Sequence, residues 1–409
     1  MRDPSSQAFV GLDIGTSSVR CVVGMLDPST PGSISVVGHG SSQNLGMRKG
    51  TVAHIDDVAE AIVRAVTEAE RLSGIRVGGA TVNINGAHIN GINSKGVIAI
   101  SAANREITQE DRLRVEEAAA IMKLPPNRQI IQVFAKNYRL DGEEYIKDPV
   151  GMHGVRLEVD THIVTASTPS LRNLDMTLEK AQIHPHNHTL SSLAAAEAVL
   201  ERQQKEAGTV LLDIGAGTTN LVVFEDGEVQ HAAVLPIGGV YITNDLAIGL
   251  KTDLDIAEAV KVNHASLRQD ASKRDVRIKV NGREHSFRAE EVAMITEARV
   301  DELFEYIEKE LTRIHRSHKL PGGAVLVGGT AKLPGLVEFC KDRLQLASRV
   351  GKLRNVSGLV DIVSDPGYCT ATGLMILDML LMPQTDHKQG SQSVRVLNFA
   401  DRWLRKFRI

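Results

Sequence analysis

Val10-Gly-Leu-Asp-Ile-Gly-Thr-Ser-Ser18, followed by the run Val19-Arg-Cys-Val-Val23, returns about 200 positions later as Leu211-Leu-Asp-Ile-Gly-Ala-Gly-Thr-Thr219, followed by Asn220-Leu-Val-Val223. Each copy brings an apolar run into Asp-Ile-Gly and a second run out of it, the pattern of a β-hairpin with a glycine- and hydroxyl-rich tip. The repeat predicts two related halves of one chain. Such tips suit phosphate: the amides of Gly15, Thr16, Ser17 and of Gly215, Ala216, Gly217 can turn inward as donors. Ser18, Thr218 and Thr219 extend the set, and hydroxyls of Thr16, Ser17, Thr218 and Thr219 add to the amides. Asp13 and Asp213 would repel a phosphate unless a hard cation lay between, so they are the candidate catalytic residues and the candidate holders of Mg²⁺ through water. Either tip alone could be an ordinary hairpin; two on matched strands point to one shared site. No Gly-x-x-x-x-Gly-Lys-Ser/Thr is present, which argues against a Walker-type site.

The pair resembles the two phosphate hairpins of the actin, heat-shock chaperone and sugar-kinase superfamily, where ATP lies in a cleft between duplicated domains. That resemblance implies a third element. Ala324-Val-Leu-Val-Gly-Gly-Thr-Ala-Lys-Leu-Pro-Gly335 supplies it, a strand ending in Gly328, Gly329 and Thr330 that is similar to the superfamily's adenosine motif. Paired glycines let adenine lie against bare backbone where a side chain would exclude it. Gly238 and Gly239, in Pro236-Ile-Gly-Gly-Val240, join the candidate nucleotide set.

At 409 residues, 42 % hydrophobic and 24 % charged, the chain suits a soluble globular protein of two domains or a few subdomains. A net charge of −3 gives no global attraction to nucleic acid, and no nucleic-acid partner is expected. Cys21, Cys340 and Cys369 are widely spaced and form no Cys-x-x-Cys pair, so they read as reduced packing residues of a cytosolic protein. The polar start Met1-Arg-Asp-Pro-Ser-Ser-Gln7 does not read as a signal peptide, and no apolar run reaches about 18 residues.

The expected fold class is α/β, with duplicated actin-like (ribonuclease-H-like) domains around a nucleotide cleft, a small α+β insertion in the first half, and a C-terminal amphipathic helix on a linker. Residues 1–80 read as the first part of the first domain, with a helix at 55–72 whose Val58, Ile62, Val66 and Ala69 share a face. From 81 to 167 the order strand, strand, helix, strand, strand, starting at Thr81-Val-Asn-Ile-Asn85, reads as the inserted subdomain, with Thr108 capping a helix. Residues 168–190 return to the first domain, 191–241 open the second, 242–315 form its smaller subdomain and 316–383 its remainder. His184, His186 and His188 alternate, which on a strand sets three imidazoles on one face. They read either as a Zn²⁺ or Ni²⁺ site or, with no Cys or acidic partner nearby in sequence, as solvated histidines. Glu258 and Lys261 share a helical face, either to grip ribose hydroxyls or as a surface pair.

Residues 384–393 carry no apolar side chain, the composition of a flexible linker. The segment 394–409 regains helical periodicity: Val396, Phe399, Ala400, Trp403, Leu404 and Phe407 fall on one face, and Arg395, Arg402, Arg405, Lys406 and Arg408 bring the charge. It is too short to span a bilayer but suits lying in one interface, with each near-surface cation worth on the order of 1 kcal/mol. The other reading is a helix docked on its own core or on a partner, which would seldom need a polar tether.

With these parts in order, the chain resembles the FtsA family of bacterial cell-division proteins from Val10 to Phe407. The more specific marks are Lys147-Asp-Pro-Val-Gly-Met-His-Gly-Val-Arg156, Ala257-Glu-Ala-Val-Lys261, which looks like the ribose motif, and Trp403-Leu-Arg-Lys-Phe407. The resemblance implies a cytoplasmic protein, peripheral on the inner face of the cell membrane at the division site. It implies binding of ATP and Mg²⁺, assembly with itself into actin-like filaments, attachment of the FtsZ C-terminal tail to anionic inner-membrane lipids, and recruitment of later division proteins. The FtsZ tail would dock on the smaller subdomain, roughly 242–315. There are two departures: Ala216 where the family commonly has Gly, and Ser191-Ser192 where relatives often carry Glu-Pro. If that acidic residue positions Mg²⁺ or water, hydrolysis here is weak or absent while binding persists. Asp13, Asp213 and Glu197 are then the evident carboxylates near the hairpins. The alternative is a PilM-type actin-like pilus-assembly protein or another ATPase of this fold; the PilM type normally lacks the amphipathic tail.

Overall fold

A computed structural model describes residues 8–27, 33–101, 103–268 and 275–381. The linker 384–393 and the segment 394–409 lie outside the described residues. Two mixed sheets carry the two halves. The first runs His184–Leu190, Gly79–Ile84, Ala8–Ile14, Ser18–Leu26, Ile34–Gln43, Val356–Gly358; the second runs Glu228–Leu235, Thr219–Glu225, Thr209–Ile214, Gly323–Val327, Ser348–Val350. In each, the strand entering the glycine tip pairs antiparallel with the strand leaving it and parallel with a strand on its other side. The hairpins share one register. Asp13 stands opposite Arg20 and Asp213 opposite Asn220. Gly15 N donates to Ser18 O at 3.0 Å, and Gly215 N donates to Thr218 O at 2.9 Å. Both entering strands are buried along nearly their whole length, the mark of central strands covered on both faces.

A separate antiparallel sheet, in the order Asn90–Ala99, Arg156–Ser167, Arg128–Leu140, Glu143–Ile146, forms the insertion. The helix Gln109–Ala120 covers it, with the expected Thr108 cap completed by Asp111, and its core gathers Val115, Ala119, Tyr138, Leu157 and Val159. The strand beginning at Thr81 is not part of it. Gly79–Ile84 pairs parallel with Ala8–Ile14 in the first main sheet, so the insertion starts later than position 81. Its alternating polar residues are buried because they have partners: Thr81 Oγ1 donates to Asp378 Oδ1 at 2.7 Å and Asn83 Nδ2 to Asp13 Oδ1 at 2.8 Å.

The stretch 316–383 does not stay in the second half either. Val356–Gly358 pairs with Ile34–Gln43, and the helix Cys369–Leu381 packs on Ala8–Ile14 and on the helix Ser191–Val199. Two glycines permit this approach: a Cβ on Gly11 would lie 2.0 Å from Ala371 O, and one on Gly373 would lie 1.7 Å from Ala194 O. Buried Asp378 fastens the helix. Val10 N donates to it at 2.9 Å, Thr81 Oγ1 at 2.7 Å, and His186 Nδ1 lies 2.8 Å away.

The alternating histidines therefore serve separate carboxylates, His186 with Asp378 and His188 Nε2 3.0 Å from Asp175, and a bulge between Pro185 and Asn187 interrupts the strand. Among the described residues no group of three or more His, Cys, Asp or Glu could hold a metal ion, and no helix is long and apolar enough to cross a membrane.

The hydrogen bond that His186 donates to Asp378 raises the His186 pKa above its usual 6.5, against partial burial, which lowers it. A raised folded pKa contributes stability that is complete below the unfolded value and is lost as pH climbs through the folded one. Urea unfolding of the wild type should therefore lose stability as pH rises from 6.5, and His186→Gln should lack that component of the slope.

Candidate functional site

The two glycine tips meet across one cleft of about 290 Å³, at the lower end of the roughly 300–1,000 Å³ typical of ligand pockets. They nearly touch. A Cβ on Gly217 would lie 2.6 Å from Thr16 Oγ1, and Asn85 Nδ2 donates across to Thr218 Oγ1 at 2.9 Å. Asp13, Gly15, Thr16, Ser17 and Ser18 line the cleft from the first half; Asp213, Gly215, Ala216, Thr218, Gly239, Glu258, Lys261, Gly329 and Thr330 line it from the second.

Four residues named from the sequence stand behind this lining. Thr219 is fully buried in its strand and donates its hydroxyl to Ile237 O at 2.9 Å, so it has no free hydroxyl to offer. Gly217, Gly238 and Gly328 act by lacking a side chain: a Cβ on Gly238 would lie 2.6 Å from Gly215 O, and one on Gly328, where φ is +88°, would lie 2.5 Å from Ile214 O. They let the tip, the turn before Gly239–Gly249 and the strand Gly323–Val327 close on one another. Glu197 is turned away, 2.6 Å from Lys205 Nζ in a buried pair outside the cleft.

Glu258 and Lys261 are more than a surface pair. Lys261 Nζ donates to Glu258 Oε2 at 2.6 Å, Thr243 Oγ1 at 2.9 Å and Gly239 O at 3.2 Å, which ties the helix Leu254–His264 to the start of Gly239–Gly249 at the cleft wall.

Burial pushes the Asp13 carboxyl up to about 7, with Arg20 opposing the shift and the Asp213 charge adding to it. Burial pushes Asp213 up to about 6, opposed by hydrogen bonds from Asn220 and Thr370 and by Arg20. Asn83 Nδ2 holds Asp13, while Asn220 Nδ2, at 3.3 Å, and Thr370 Oγ1, at 3.4 Å, hold Asp213. The other amide atom of Asn220, Oδ1, is buried at the cleft with no hydrogen-bond partner among the described residues. Two under-solvated carboxylates and a spare buried acceptor fit a hydrated hard cation. Its charge would favour the ionised carboxylates and its waters would donate to the acceptor.

Arg20, Asn85, Ser191, Asn220, Lys332, Gly367 and Thr370 also line the cleft and were not singled out as site residues from the sequence. For two of them the repeat carried a usable signal, since Arg20 and Asn220 occupy the same place relative to Asp13 and Asp213 on the leaving strands. Arg20 also lies over the Tyr368 ring, 5.3 Å from its centroid. Gly367 and Thr370 come from a segment without a motif.

A buried carboxylate with a raised pKa destabilises the fold at neutral pH. Asp213→Asn should therefore raise the ligand-free unfolding free energy at pH 7–8, by on the order of 1–3 kcal/mol, and abolish any stabilisation by Mg²⁺. Chemical denaturation with and without the ion reads both effects.

Residues 86–165 match the family described as the SHS2 domain inserted in FTSA, and residues 210–373 match the family described as Cell division protein FtsA. The cell division protein FtsA of Pseudomonas aeruginosa is 36 % identical over 395 residues, covering 95 % of this chain and 93 % of that one. The Bacillus subtilis protein of the same name is 37 % identical over 375 residues, covering 91 % and 83 %. Among solved structures, a PilM–PilN type IV pilus biogenesis complex aligns with TM-score 0.67 at 18 % identity, covering 90 % of this chain and 98 % of that one. Spiroplasma citri MreB5, in structures bound to ADP and to AMPPNP, aligns with TM-score 0.55 at 14 % identity, covering 92 % and 97 %. At those identities the structural likeness establishes an actin-like fold.

Proposed function

The chain belongs to the FtsA family of cell-division proteins, and from that premise we propose that it binds ATP with Mg²⁺, polymerises on the inner face of the cytoplasmic membrane and tethers FtsZ filaments there, helping to recruit later division proteins. The observation that supports the nucleotide reading most directly is that one cleft gathers both glycine tips, both aspartates, Glu258, Lys261, Gly329 and Thr330. In this reading the tip amides and hydroxyls face the phosphates and Arg20 offsets their charge. Glu258 and Lys261 take the ribose hydroxyls, and Gly329 and Thr330 border the base. Asp13 and Asp213, positioned by Asn83 and Asn220, hold Mg²⁺ through water; when bound, the ion neutralises charge between carboxylates and phosphates. MreB5, on the same fold, has been solved bound to ADP and to AMPPNP, which supports a nucleotide as the ligand.

Hydrolysis is proposed to be weak or absent. Ser191 lines the cleft and accepts a hydrogen bond from Asn83 Nδ2 at 3.1 Å, where an acidic residue in relatives would stand beside Asp13. Asp13 and Asp213 are committed to the cation, and Glu197 is paired elsewhere.

Gly239→Val tests the cleft, because a Cβ there already lies 2.5 Å from Thr330 Oγ1. It should weaken ATP binding by at least roughly tenfold by fluorescence titration. Co-sedimentation with anionic liposomes should pellet the full chain, more so with Mg-ATP, and leave a chain ending at Ser391 in solution. If both chains stay in solution, the terminal segment is a docking helix and the membrane reading fails.

For the FtsZ tail we assign the open groove of about 1310 Å³ between the helices Ala289–Arg313 and Leu336–Leu344, where Met294 and Phe339 give apolar contacts, Arg268 stands among the carboxylates Glu290, Glu297, Glu338 and Asp342, and Arg343 is paired with Asp301. Met294 is 64 % exposed, so its substitution should spare the fold. Met294→Glu should reduce affinity for an FtsZ tail peptide by roughly tenfold without altering ATP binding; an unchanged affinity would place the tail elsewhere.

A further inference from the structure

A second cleft, of about 460 Å³, opens where the inserted sheet meets the second half. Lys95, Lys136 and Asp160 line it from the insertion, and Gln230, Arg313 and Arg316 from the facing side. Four of these are Lys or Arg and one is a carboxylate. The arginines are held by carboxylates outside the lining: Arg313 by Glu310 at 2.8 Å and Arg316 by Glu225 at 2.6 Å. Asp160 is shared between Arg139 at 3.2 Å and Lys95 at 3.6 Å.

The Lys136 side chain makes no hydrogen bond or salt bridge among the described residues. Its position comes from the backbone. Asn137 pairs with Asp160 and Ala135 with Thr161, so Lys136 is the extra residue of a β-bulge, a device that re-aims a side chain. Partial burial, and then Arg316, hold its pKa below the usual lysine value, with Asp160 opposing. The cost of this half-buried ammonium is chiefly lost hydration, with Asp160 outweighing Arg316, and an anion in the cleft would offset it.

We propose that this cleft binds a multivalent phosphate anion, bridging Lys95 and Lys136 of the insertion to Arg313 and Arg316 of the second half. Guanidinium forks and ammonium groups match phosphate oxygens, and although Arg313, Arg316 and Lys95 each have a carboxylate partner, Lys136 has none among the described residues. Amide side chains of Asn137 and Gln230 add neutral donors. The two units already meet nearby, where Ala232 N donates to His162 Nε2 at 3.1 Å and Lys147 Nζ donates to Asp226 O at 3.2 Å. A bound anion would fasten the insertion to the second half at a point remote from the glycine tips.

The test is calorimetric titration of the full chain with pyrophosphate, and separately with glycerol phosphate, at fixed ionic strength, beside Lys136→Gln and Lys136→Arg. Comparing the variants with the wild type cancels any binding in the first cleft, whose residues are unchanged, so failure of the ATP reading would not disturb this result. Lys136→Gln should bind pyrophosphate at least roughly tenfold more weakly, unfold at the same or a higher temperature without ligand, and be rescued by Lys136→Arg. The same Lys136 dependence with glycerol phosphate would extend the site to lipid headgroups; its restriction to pyrophosphate would assign free anions. Equal affinities of wild type and Lys136→Gln for both probes would overturn the proposal.

Discussion

Asp13 and Asp213 point into one cavity from the ends of two central strands, and burial makes both charges costly. Much of the local architecture follows from keeping them there. Asn83 and Asn220 donate to them from adjacent strands, and Thr370 reaches Asp213 from the helix Cys369–Leu381. A fold selected only for stability would place neutral side chains at such positions, since an unpaired buried carboxylate opposes folding. The proposed cation would relieve this tension, which the empty protein carries as a cost.

The helix Cys369–Leu381 gives that site a mechanical context. At its start Thr370 touches Asp213 of the second half; near its end Asp378 is fixed by the first half through Val10, Thr81 and His186. The same helix is the last described element before the segment that carries Trp403 and Phe407. Gly11 and Gly373 allow backbone to lie directly on backbone, so the helix has little freedom to slide or roll without disturbing the strand that ends at Asp13. One rigid element thus touches both aspartate hairpins.

The duplicated hairpins were legible in the sequence because their determinants are local. An Asp-x-Gly tip between two apolar runs needs only its own residues to form, and its repetition gave the α/β, two-half architecture. The first-half strand at Thr81 was not legible as such. Its Thr and Asn alternate with apolar residues as they would on a half-exposed sheet, and only partners far along the chain, Asp378 and Asp13, explain their burial. The return of 356–381 to the first half had the same origin, for it depends on the bare surfaces of Gly11 in the strand and Gly373 in the helix meeting distant backbone. At the site, residue types that contact ligands and glycines that admit close packing look alike in sequence. Gly217, Gly238 and Gly328 do admit close packing.

The insertion shows how a unit hung from one half can come to depend on the other. It leaves and rejoins the chain beside the first sheet, yet His162 accepts a hydrogen bond from Ala232 of the second half and sits 5.0 Å from the His231 ring. For His162 Nε2 to accept that bond the imidazole must be neutral, and burial, with the nearby His231, Lys136 and Arg313 charges, holds its pKa down to about 3. His162 therefore keeps its acceptor nitrogen across the physiological range. The junction's electrostatic slack lies next door, at Lys136, whose ammonium is drawn by Asp160 but makes no ion pair among the described residues. A junction that is fixed at one point and electrostatically incomplete at the next is held by the protein alone but tightened by whatever anion completes it.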